Sequence, residues 1–408
     1  MLNFKFYFFR SLCIIFSFGW FMIPLISQDW QEIQRFNPAQ TIQKIKFLNS
    51  ELGYCVSSLY NGSTRNIHKT NNGGLSWESQ NSGFTSMRFM DIFILDEQTT
   101  WICGNAGIIL KTTDGGQNWI LKNTGTTEQI WSIYFTDALN GFACGSTGLL
   151  LRTKDGGDSW DPIPSGINNL LYSMHFVNSS KGFAGGSNVL LRTDDAGETW
   201  YKENAFPFSP PGDWIRKILF VNENVGYACA DIGRIYKTLD GGDHWTKLES
   251  GTQEALMEID FANENVGVAV GFNGTILFTK DGGAKWDPMN SPLGTDHLFT
   301  VDLLNPQLGF IASHQGRILK NDLLSVSLSN PTKDSDSWLY QSHQSLYVDL
   351  GEYEKFEFYN PAGQLVQLQN SQKVNSGYLF SLTGITPGLY IACKSKFNNL
   401  TCLPCIIY

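Results

Sequence analysis

Charged residues are scarce in this chain: Asp, Glu, Lys and Arg make up 16% of its 408 residues. Helices exposed to solvent carry dense charge on their outer faces, so this composition argues against a mainly helical protein. The 29 basic residues form no cluster and are outnumbered by 38 acidic ones, which argues against nucleic-acid binding because phosphate contacts need lysine and arginine. Beyond the first 27 residues, no stretch is apolar enough to span a membrane.

The first 27 residues differ from the rest of the chain. Lys5 and Arg10 precede an apolar run over 11–26, and the small residue Ser27 follows that run. This pattern predicts a secretory signal peptide over residues 1–27, with a membrane anchor as the alternative. Cys13 lies inside the apolar run instead of after it, which argues against a lipoprotein anchor.

Repetition is what the chain has in abundance. One phrase, Thr-x-Asp-Gly-Gly-x-x-Trp, occurs six times with small variations, and its tryptophans recur every 40 to 45 residues. A period of this length is typical of β-repeat architectures. The six tryptophans are Trp77, Trp119, Trp160, Trp200, Trp245 and Trp286. The aspartate position holds Asp114, Asp155, Asp195, Asp240 and Asp281, and Asn72 in the first copy.

Each repeat predicts four short antiparallel strands joined by turns. The frame fits seven times, but the seventh unit lacks the Gly-Gly turn and the tryptophan that should open its fourth strand. An isolated strand-like segment over 30–34 precedes the first unit and could pair with residues 316–320, which would close the ring and leave no open sheet edge. We therefore predict an all-β chain with a seven-bladed β-propeller over residues 28–328; an open β-solenoid is the alternative.

The residues of the repeated phrase have a local structural explanation. The aspartate can accept hydrogen bonds from turn amides, the glycines permit a left-handed backbone and close approach, and the tryptophan can cover the turn. Carboxylates at equivalent places in several blades cannot all be catalytic, so we predict a structural role for them. An aromatic or apolar residue in each second strand is expected to pack between blades: Tyr54, Trp101, Phe142, Phe183, Tyr227, Val268 and Phe310.

The phrase resembles the Asp-box, or BNR, repeat of sialidases, sortilin-like receptors and many exported bacterial propellers. The wider frame, with its Gly-x-Ile/Leu hairpins before each box, is most similar to the photosystem II assembly factor type of BNR propeller. This resemblance implies the propeller fold, and it implies an assembly factor as one functional candidate.

The chain after the propeller has a different pattern. Residues 329–345 are polar at first and predict a linker that leads into a second domain, and residues 346–408 alternate apolar stretches with glycine turns, which predicts a small C-terminal β-sandwich. Through Asn330-Pro331 and the stretches over 359–366 and 382–391, this tail resembles the sorting domain of type IX secretion cargo. The resemblance implies contact with the outer-membrane secretion machinery through residues 329–408, and a secreted or cell-surface location in a Gram-negative bacterium. An ordinary accessory or carbohydrate-binding module is the alternative.

The cysteines give little evidence for a disulfide framework. Cys103, Cys144 and Cys229 occupy one slot in three repeats, too far apart for bridging, so we expect small buried apolar residues there. Near the C-terminus, one disulfide could form among Cys393, Cys402 and Cys405. Cys402 and Cys405 also have the Cys-x-x-Cys spacing of a redox or metal pair.

We expect ligands at the rim made by the hairpins between second and third strands and by the connections between blades. The longest connection, over 204–214, suits either a binding loop or a rigid excursion. The candidate ligand-binding residues are Trp131, Tyr172, Trp214, Asp231, Phe272, His297 and His314. No metal-ligand spacing or catalytic triad stands out, and no cofactor is expected.

These patterns predict a noncatalytic, exported, monomeric propeller that binds an extracellular protein or glycan. A glycoside hydrolase of the sialidase or xyloglucanase type is one alternative, although only eight arginines follow the leader and a pair of opposed carboxylates is not evident. An assembly factor for an envelope complex is the second alternative.

Overall fold

The computed structural model describes residues 30–36, 40–58, 66–84, 87–208 and 212–322, and seven strands between residues 339 and 407. The predicted signal peptide and most of the predicted linker lie outside the described residues. Residues 30–322 form seven four-stranded antiparallel sheets, and the first strand of each sheet contacts the first strands of its two neighbours around a closed ring. This arrangement is a seven-bladed β-propeller, as predicted.

The strands follow one another along the chain, each blade running from its innermost to its outermost strand. Strand β1 (Gln31–Arg35) precedes blade 1, which holds β2 (Thr41–Phe47), β3 (Gly53–Ser58), β4 (Ile67–Thr70) and β5 (Glu78–Gln80). Blade 2 holds β6 (Phe89–Ile94), β7 (Thr100–Gly104), β8 (Ile109–Thr112) and β9 (Ile120–Lys122). Blade 3 holds β10 (Ile130–Phe135), β11 (Gly141–Gly145), β12 (Leu150–Thr153) and β13 (Asp161–Pro162). Blade 4 holds β14 (Leu171–Phe176), β15 (Gly182–Gly186), β16 (Val189–Thr193) and β17 (Tyr201–Lys202).

The remaining blades repeat this order. Blade 5 holds β18 (Ile215–Phe220), β19 (Gly226–Ala230), β20 (Ile235–Thr238) and β21 (Thr246–Leu248). Blade 6 holds β22 (Leu256–Phe261), β23 (Gly267–Gly271), β24 (Ile276–Thr279) and β25 (Asp287–Met289). Blade 7 holds β26 (Leu298–Asn305), β27 (Leu308–Ser313) and β28 (Arg317–Asp322). Three hairpins between second and third strands contain a short 3-10 turn, over Asn105–Gly107, Ser146–Gly148 and Phe272–Gly274.

Blade 7 takes its fourth strand from the other end of the propeller. Strand β1 pairs antiparallel with β28, with Gln31 opposite Lys320. Trp30 is 3% exposed and packs in an apolar cluster that includes Val268 and Leu319. Because this pairing joins the two ends of the ring, the outer edge of blade 7 is formed as in the other blades.

Aromatic rings pack between neighbouring blades, as the sequence predicted. The second-strand ring of one blade stacks on the first-strand ring of the next. That first-strand ring lies over a glycine of its own blade: a Cβ at Gly141 would lie 2.5 Å from a ring atom of Phe135. The stacked pairs and their centroid distances are Phe310–Phe47 (3.8 Å), Trp101–Phe135 (3.9 Å), Phe142–Phe176 (4.4 Å), Phe183–Phe220 (5.2 Å) and Tyr227–Phe261 (3.8 Å).

The repeated turns are held by their own side chains. In blade 2 the Asp114 carboxylate accepts the Asn118 backbone N–H at 2.9 Å, and the buried Thr112 hydroxyl donates to Asp114 while it accepts the Gly116 N–H. Hydrogen bonds from Asn118, then Thr112, hold the pKa of Asp114 at about 2. The first glycine of each box has a positive φ, and Ala196, which replaces it in blade 4, has φ 59°. These turns lie at the opposite end of the blades from the hairpins that join second and third strands.

The C-terminal strands pair in two antiparallel sheets. The first sheet has the order β29-β30-β33-β32, from β29 (Leu339–Ser342), β30 (Ser345–Asp349), β32 (Gln369–Val374) and β33 (Gly377–Ser381). The second has the order β31-β34-β35, from β31 (Lys355–Tyr359), β34 (Gly388–Lys396) and β35 (Asn399–Ile407). Cys393 and Cys402 are opposite each other in the register of β34 and β35. The packing of the two sheets against each other as a β-sandwich remains a prediction.

The cysteines of the propeller are free and buried: Cys55, Cys103, Cys144 and Cys229. Burial raises the pKa of each of these thiols well above its ordinary range. They are therefore small apolar core residues, as expected from the repeat slot that three of them share.

Candidate functional site: the channel mouth

A β-bulge occurs at the same place in the first strand of all seven blades. A bulge inserts one extra residue and redirects its side chain. The seven extra residues line one depression of about 90 Å³ at the mouth of the central channel. We call them the mouth ring: Gln43, Met90, Trp131, Tyr172, Arg216, Met257 and Phe299.

On one side of the mouth, an arginine is stacked on two aromatic rings. The guanidinium of Arg216 lies 4.7 Å from the ring centroid of Tyr172 and 5.0 Å from that of Trp214. Its Nε and Nη2 donate to the two carboxylate oxygens of Asp231 at 2.8 and 3.1 Å. Trp131 meets Tyr172 edge to face at 5.1 Å. These five residues form the arginine–aromatic patch, whose planar cation is held rigidly in place.

Trp214 is presented by a connection that is docked at both of its described ends. Phe206 is buried against Tyr236 and Trp245, with centroids 4.6 and 5.5 Å apart. At the other end, the fully buried Asp213 accepts the Tyr236 hydroxyl at 2.7 Å. Trp214 itself stays 39% exposed, so a large ring is held in solvent on a fixed support.

Backbone strain accompanies this patch. Ile232, next to Asp231, has φ 58° and is 38% exposed. A β-branched residue is rarely found in the left-handed region, because its side chain crowds the backbone there. Ala106, Thr147 and Asn273 have the same positive φ at the equivalent hairpin position, so this backbone conformation belongs to the repeat.

A second group of rings lies on the blade 6 and 7 side of the mouth. His297 stacks on Phe272 at 4.4 Å, and His314 lies 6.3 Å from His297 and 6.0 Å from Phe299. The His297 Nδ1 accepts the backbone N–H of Asn273 at 3.0 Å. This histidine–phenylalanine patch joins the mouth ring through Phe299.

The seven candidate residues therefore fall into two groups, and only two of them line the depression. Trp131 and Tyr172 line the depression, and Trp214 and Asp231 support Arg216 beside it. Phe272, a candidate from the sequence, lies outside the lining of the depression, which includes Phe299. The difference arises because the bulges, not the hairpin tips, supply the lining side chains.

Below the mouth ring, charged side chains from different blades meet across the channel. Glu258 forms ion pairs with Lys44 and, at 3.2 Å, with Lys217, and Lys44 is 3.9 Å from Asp91. Ser132 donates its hydroxyl to Asp91 at 2.9 Å. Burial alone would raise the pKa of Glu258, but the charges of Lys44 and Lys217 outweigh it and lower the pKa to about 2. We call Lys44, Asp91, Lys217 and Glu258 the channel floor; it is neutral in sum.

This geometry does not favour glycoside hydrolysis. A general acid needs a raised pKa, whereas the pKa of Glu258 is lowered. The depression of about 90 Å³ is also smaller than ligand pockets, which usually measure about 300–1,000 Å³. In the described part of the chain, no three His, Cys, Asp or Glu side chains come together to hold a metal ion. Among the described residues, no helix is long and apolar enough to cross a membrane.

Sequence reasoning missed Arg216 and four other members of the mouth ring. Bulges have no residue signature, so the extra position in each first strand looked like an ordinary strand residue. A second omission is the blade 1 hairpin, where eight residues separate β3 from β4, against four between β7 and β8. Most of that hairpin, 59–65, lies outside the described residues.

The fold is a closed seven-bladed propeller of BNR-type repeats, with a depression at one mouth of its channel. The family model described as photosynthesis system II assembly factor YCF48 matches residues 24–124, 120–249 and 243–322, and the chain belongs to this family. The photosystem II assembly lipoprotein Ycf48 of Synechococcus sp. (strain CC9902) is 30% identical over 95 residues, which are 23% of this chain. That match spans about a quarter of the curated relative, 27% of its length.

Solved structures show the same fold at low identity. YCF48 bound to D1 peptide superposes with a TM-score of 0.59 at 20% identity, over 72% of this chain and 96% of that one. YCF48 from Cyanidioschyzon merolae gives 0.58 at 17%, over 72% and 98%. The WD40 propeller domain of Doa1 gives 0.57 at 13%, over 72% and 96%. The family and its curated relative are named as assembly factors, so they lend the glycoside hydrolase alternative no support.

Proposed function

We propose that this protein is a noncatalytic assembly factor that binds a segment of a protein partner at the channel mouth. The observation that carries the proposal is the arginine–aromatic patch, a fixed cation between two rings at the edge of a depression. Membership in a family named for assembly supports it, and one structure of similar fold is a YCF48 with a bound D1 peptide. The partner proposed for this chain is a protein of an envelope complex.

The composition of the mouth suits a peptide better than a glycan. Tryptophan, tyrosine and arginine dominate the binding energy of protein interfaces, and all three are present in the patch. Met90 and Met257 add flexible apolar surface that adapts to different side chains. A glycan needs several directed polar groups around each sugar, whereas the floor charges here are mostly engaged with one another.

We propose further that residues 1–27 direct export, that residues 28–328 bind the partner, and that residues 329–408 deliver the chain to the outer-membrane secretion machinery. The leader pattern and the resemblance of the tail to sorting domains support this division. A variant that ends at residue 328 should accumulate in the periplasm, while the full chain reaches the surface or the medium. Equal surface delivery of both would contradict the role of the tail.

The binding proposal is tested by capture of the partner from solubilised envelope. The tagged mature chain should retain one membrane protein, identified by mass spectrometry, and the variant with Trp214→Ala and Arg216→Ala should retain at least about thirtyfold less, since central interface residues each contribute about 2 kcal/mol or more. Leu75→Ser is the matched control, because Leu75 is 72% exposed at the opposite end of the blades.

A glycan array with the same three proteins completes the test. Glycan binding that is lost in the double variant, without any captured protein, would support the glycan alternative over the assembly factor. Undiminished protein capture by the double variant would place the interface away from the channel mouth.

A further inference from the structure

We infer that the mouth ring is a socket for a single uncharged aromatic side chain with a polar tip, a tyrosine of the partner segment. The inference rests on the proposed function, because it names the residue of the partner that the channel mouth takes. Three features of the mouth carry it: the size of the depression, the chemistry of its walls and the pairing of charges in its floor.

Size limits the occupant to one side chain. The depression measures about 90 Å³, well below the roughly 300–1,000 Å³ of pockets that enclose a whole small molecule. Below it the channel is blocked, because Glu258 meets lysines from blades 1 and 5 across the centre. A segment of chain can therefore lie across the mouth and insert one side chain, but it cannot thread through the propeller.

The walls favour an aromatic occupant. Three of the seven mouth-ring residues are aromatic and two are methionines: Trp131, Tyr172, Phe299, Met90 and Met257. Aromatic rings gain edge-to-face contacts with other rings, and methionine sulfur contacts ring edges favourably. An aliphatic or small polar side chain would leave much of this surface without contact.

The floor favours an uncharged tip that forms hydrogen bonds. Two lysines and two carboxylates are paired with one another there, so an added charge of either sign would meet a like charge close by. A fully apolar tip would cover the Lys217 ammonium, whose side chain is 26% exposed, and remove its water without replacing it. A phenol hydroxyl can accept from that ammonium, and it can donate to Ser173, whose Oγ accepts the Ile218 N–H.

The test uses acetylated, amidated Gly-Gly-X-Gly-Gly peptides, with X as Tyr, Phe, Lys, Glu or Ala, titrated into the mature full chain labelled with 5-fluorotryptophan. The fluorine resonance of Trp131 is assigned through Trp131→Phe. We expect the tyrosine peptide to shift this resonance and to bind about tenfold more tightly than the phenylalanine peptide, the effect of one hydrogen bond to a charged group. The alanine, lysine and glutamate peptides should bind more weakly than both.

Variants separate the floor from the walls. Lys217→Met should remove the preference for tyrosine over phenylalanine, because tyrosine loses a hydrogen bond and phenylalanine no longer covers an ammonium group. Met257→Ala should weaken the binding of both. Leu75→Ser should change neither, and unchanged resonances of the six box tryptophans would show that each variant is folded.

Equal affinity for tyrosine and phenylalanine in the parent chain would overturn the inference, as would tighter binding of lysine or glutamate, or a Trp131 resonance that does not respond to the peptides. The outcome is independent of the capture experiment. If partner capture depends on Arg216 but the peptides show no tyrosine preference, the proposed function stands and the socket is refuted. If the peptides show the tyrosine preference but no partner is captured, only the assembly role is refuted.

Discussion

Removing the side chain of Trp30 should destabilise the whole propeller, because this residue sits where the two ends of the ring join. The side chain is 3% exposed, and a buried tryptophan covers about 150–250 Å². At about 25 cal/mol per Å², that area corresponds to about 4–6 kcal/mol. Alanine retains part of it and the neighbours relax, so we expect Trp30→Ala to lower the free energy of unfolding by about 3–5 kcal/mol. In the described structure its indole N–H has no hydrogen-bond partner, so no further loss is added.

Urea unfolding followed by tryptophan fluorescence measures this loss, and limited proteolysis locates it. Cleavage near residue 36 should become faster than cleavage elsewhere, since β1 is paired on one side only, with β28. Glu32→Gln is the matched control on the same strand, because its ion pair with Arg317 lies at the surface and contributes at most about 1 kcal/mol. A loss below about 1 kcal/mol for Trp30→Ala, with unchanged cleavage, would refute the argument that this segment holds the ring shut.

Three further predictions concern backbone strain and pH. Two substitutions at the left-handed box position should have opposite effects on the thermal midpoint of unfolding. Ala196→Gly should raise it slightly, whereas Gly156→Ala should lower it, because the new Cβ would lie 2.9 Å from a carbonyl oxygen. A shift of the same sign for both variants would contradict the strain argument. Ile232→Asn should add about 1 kcal/mol of stability, measured by urea unfolding, because asparagine adopts the left-handed backbone more readily than isoleucine; an unchanged or lower stability would contradict the strain argument. Burial raises the pKa of Asp260 from 3.8 to about 6, so this group favours the folded state less as pH rises through that window. The stability of Asp260→Asn relative to the parent should therefore increase between pH 4 and pH 6.5, and a constant difference in unfolding free energy would show that the pKa is not raised.

The scaffold could be predicted from the sequence because its determinants are local and repeated. The turn chemistry of the box, the glycine opposite Phe135 and the ring of Phe142 recur at fixed offsets, so the number of blades and the packing between them follow from one unit. Closure was predictable for the same reason, since the one incomplete unit and the one isolated strand complement each other.

The site was only partly predictable, because its determinants are not local. Trp131 and Tyr172 were identified as aromatic residues near the rim, but nothing in the sequence distinguishes them as bulge residues. Arg216 looked like an ordinary strand residue, and its stacking on Trp214 depends on how a long connection docks onto blade 5. The floor pair of Lys44 with Glu258 joins residues 214 positions apart, which no motif records.

The bulge positions and the rest of each blade are under different sequence constraints. Ladder pairing and box turns are constrained by the need to fold, whereas the seven inserted positions contribute side chains to the mouth and have no partner in the ladders. Mutations there can exchange the chemistry of the mouth while the ladders remain intact. Descendants of one ancestral ring could thus acquire new partners by changing a handful of codons, in the manner of an antibody framework that carries variable residues.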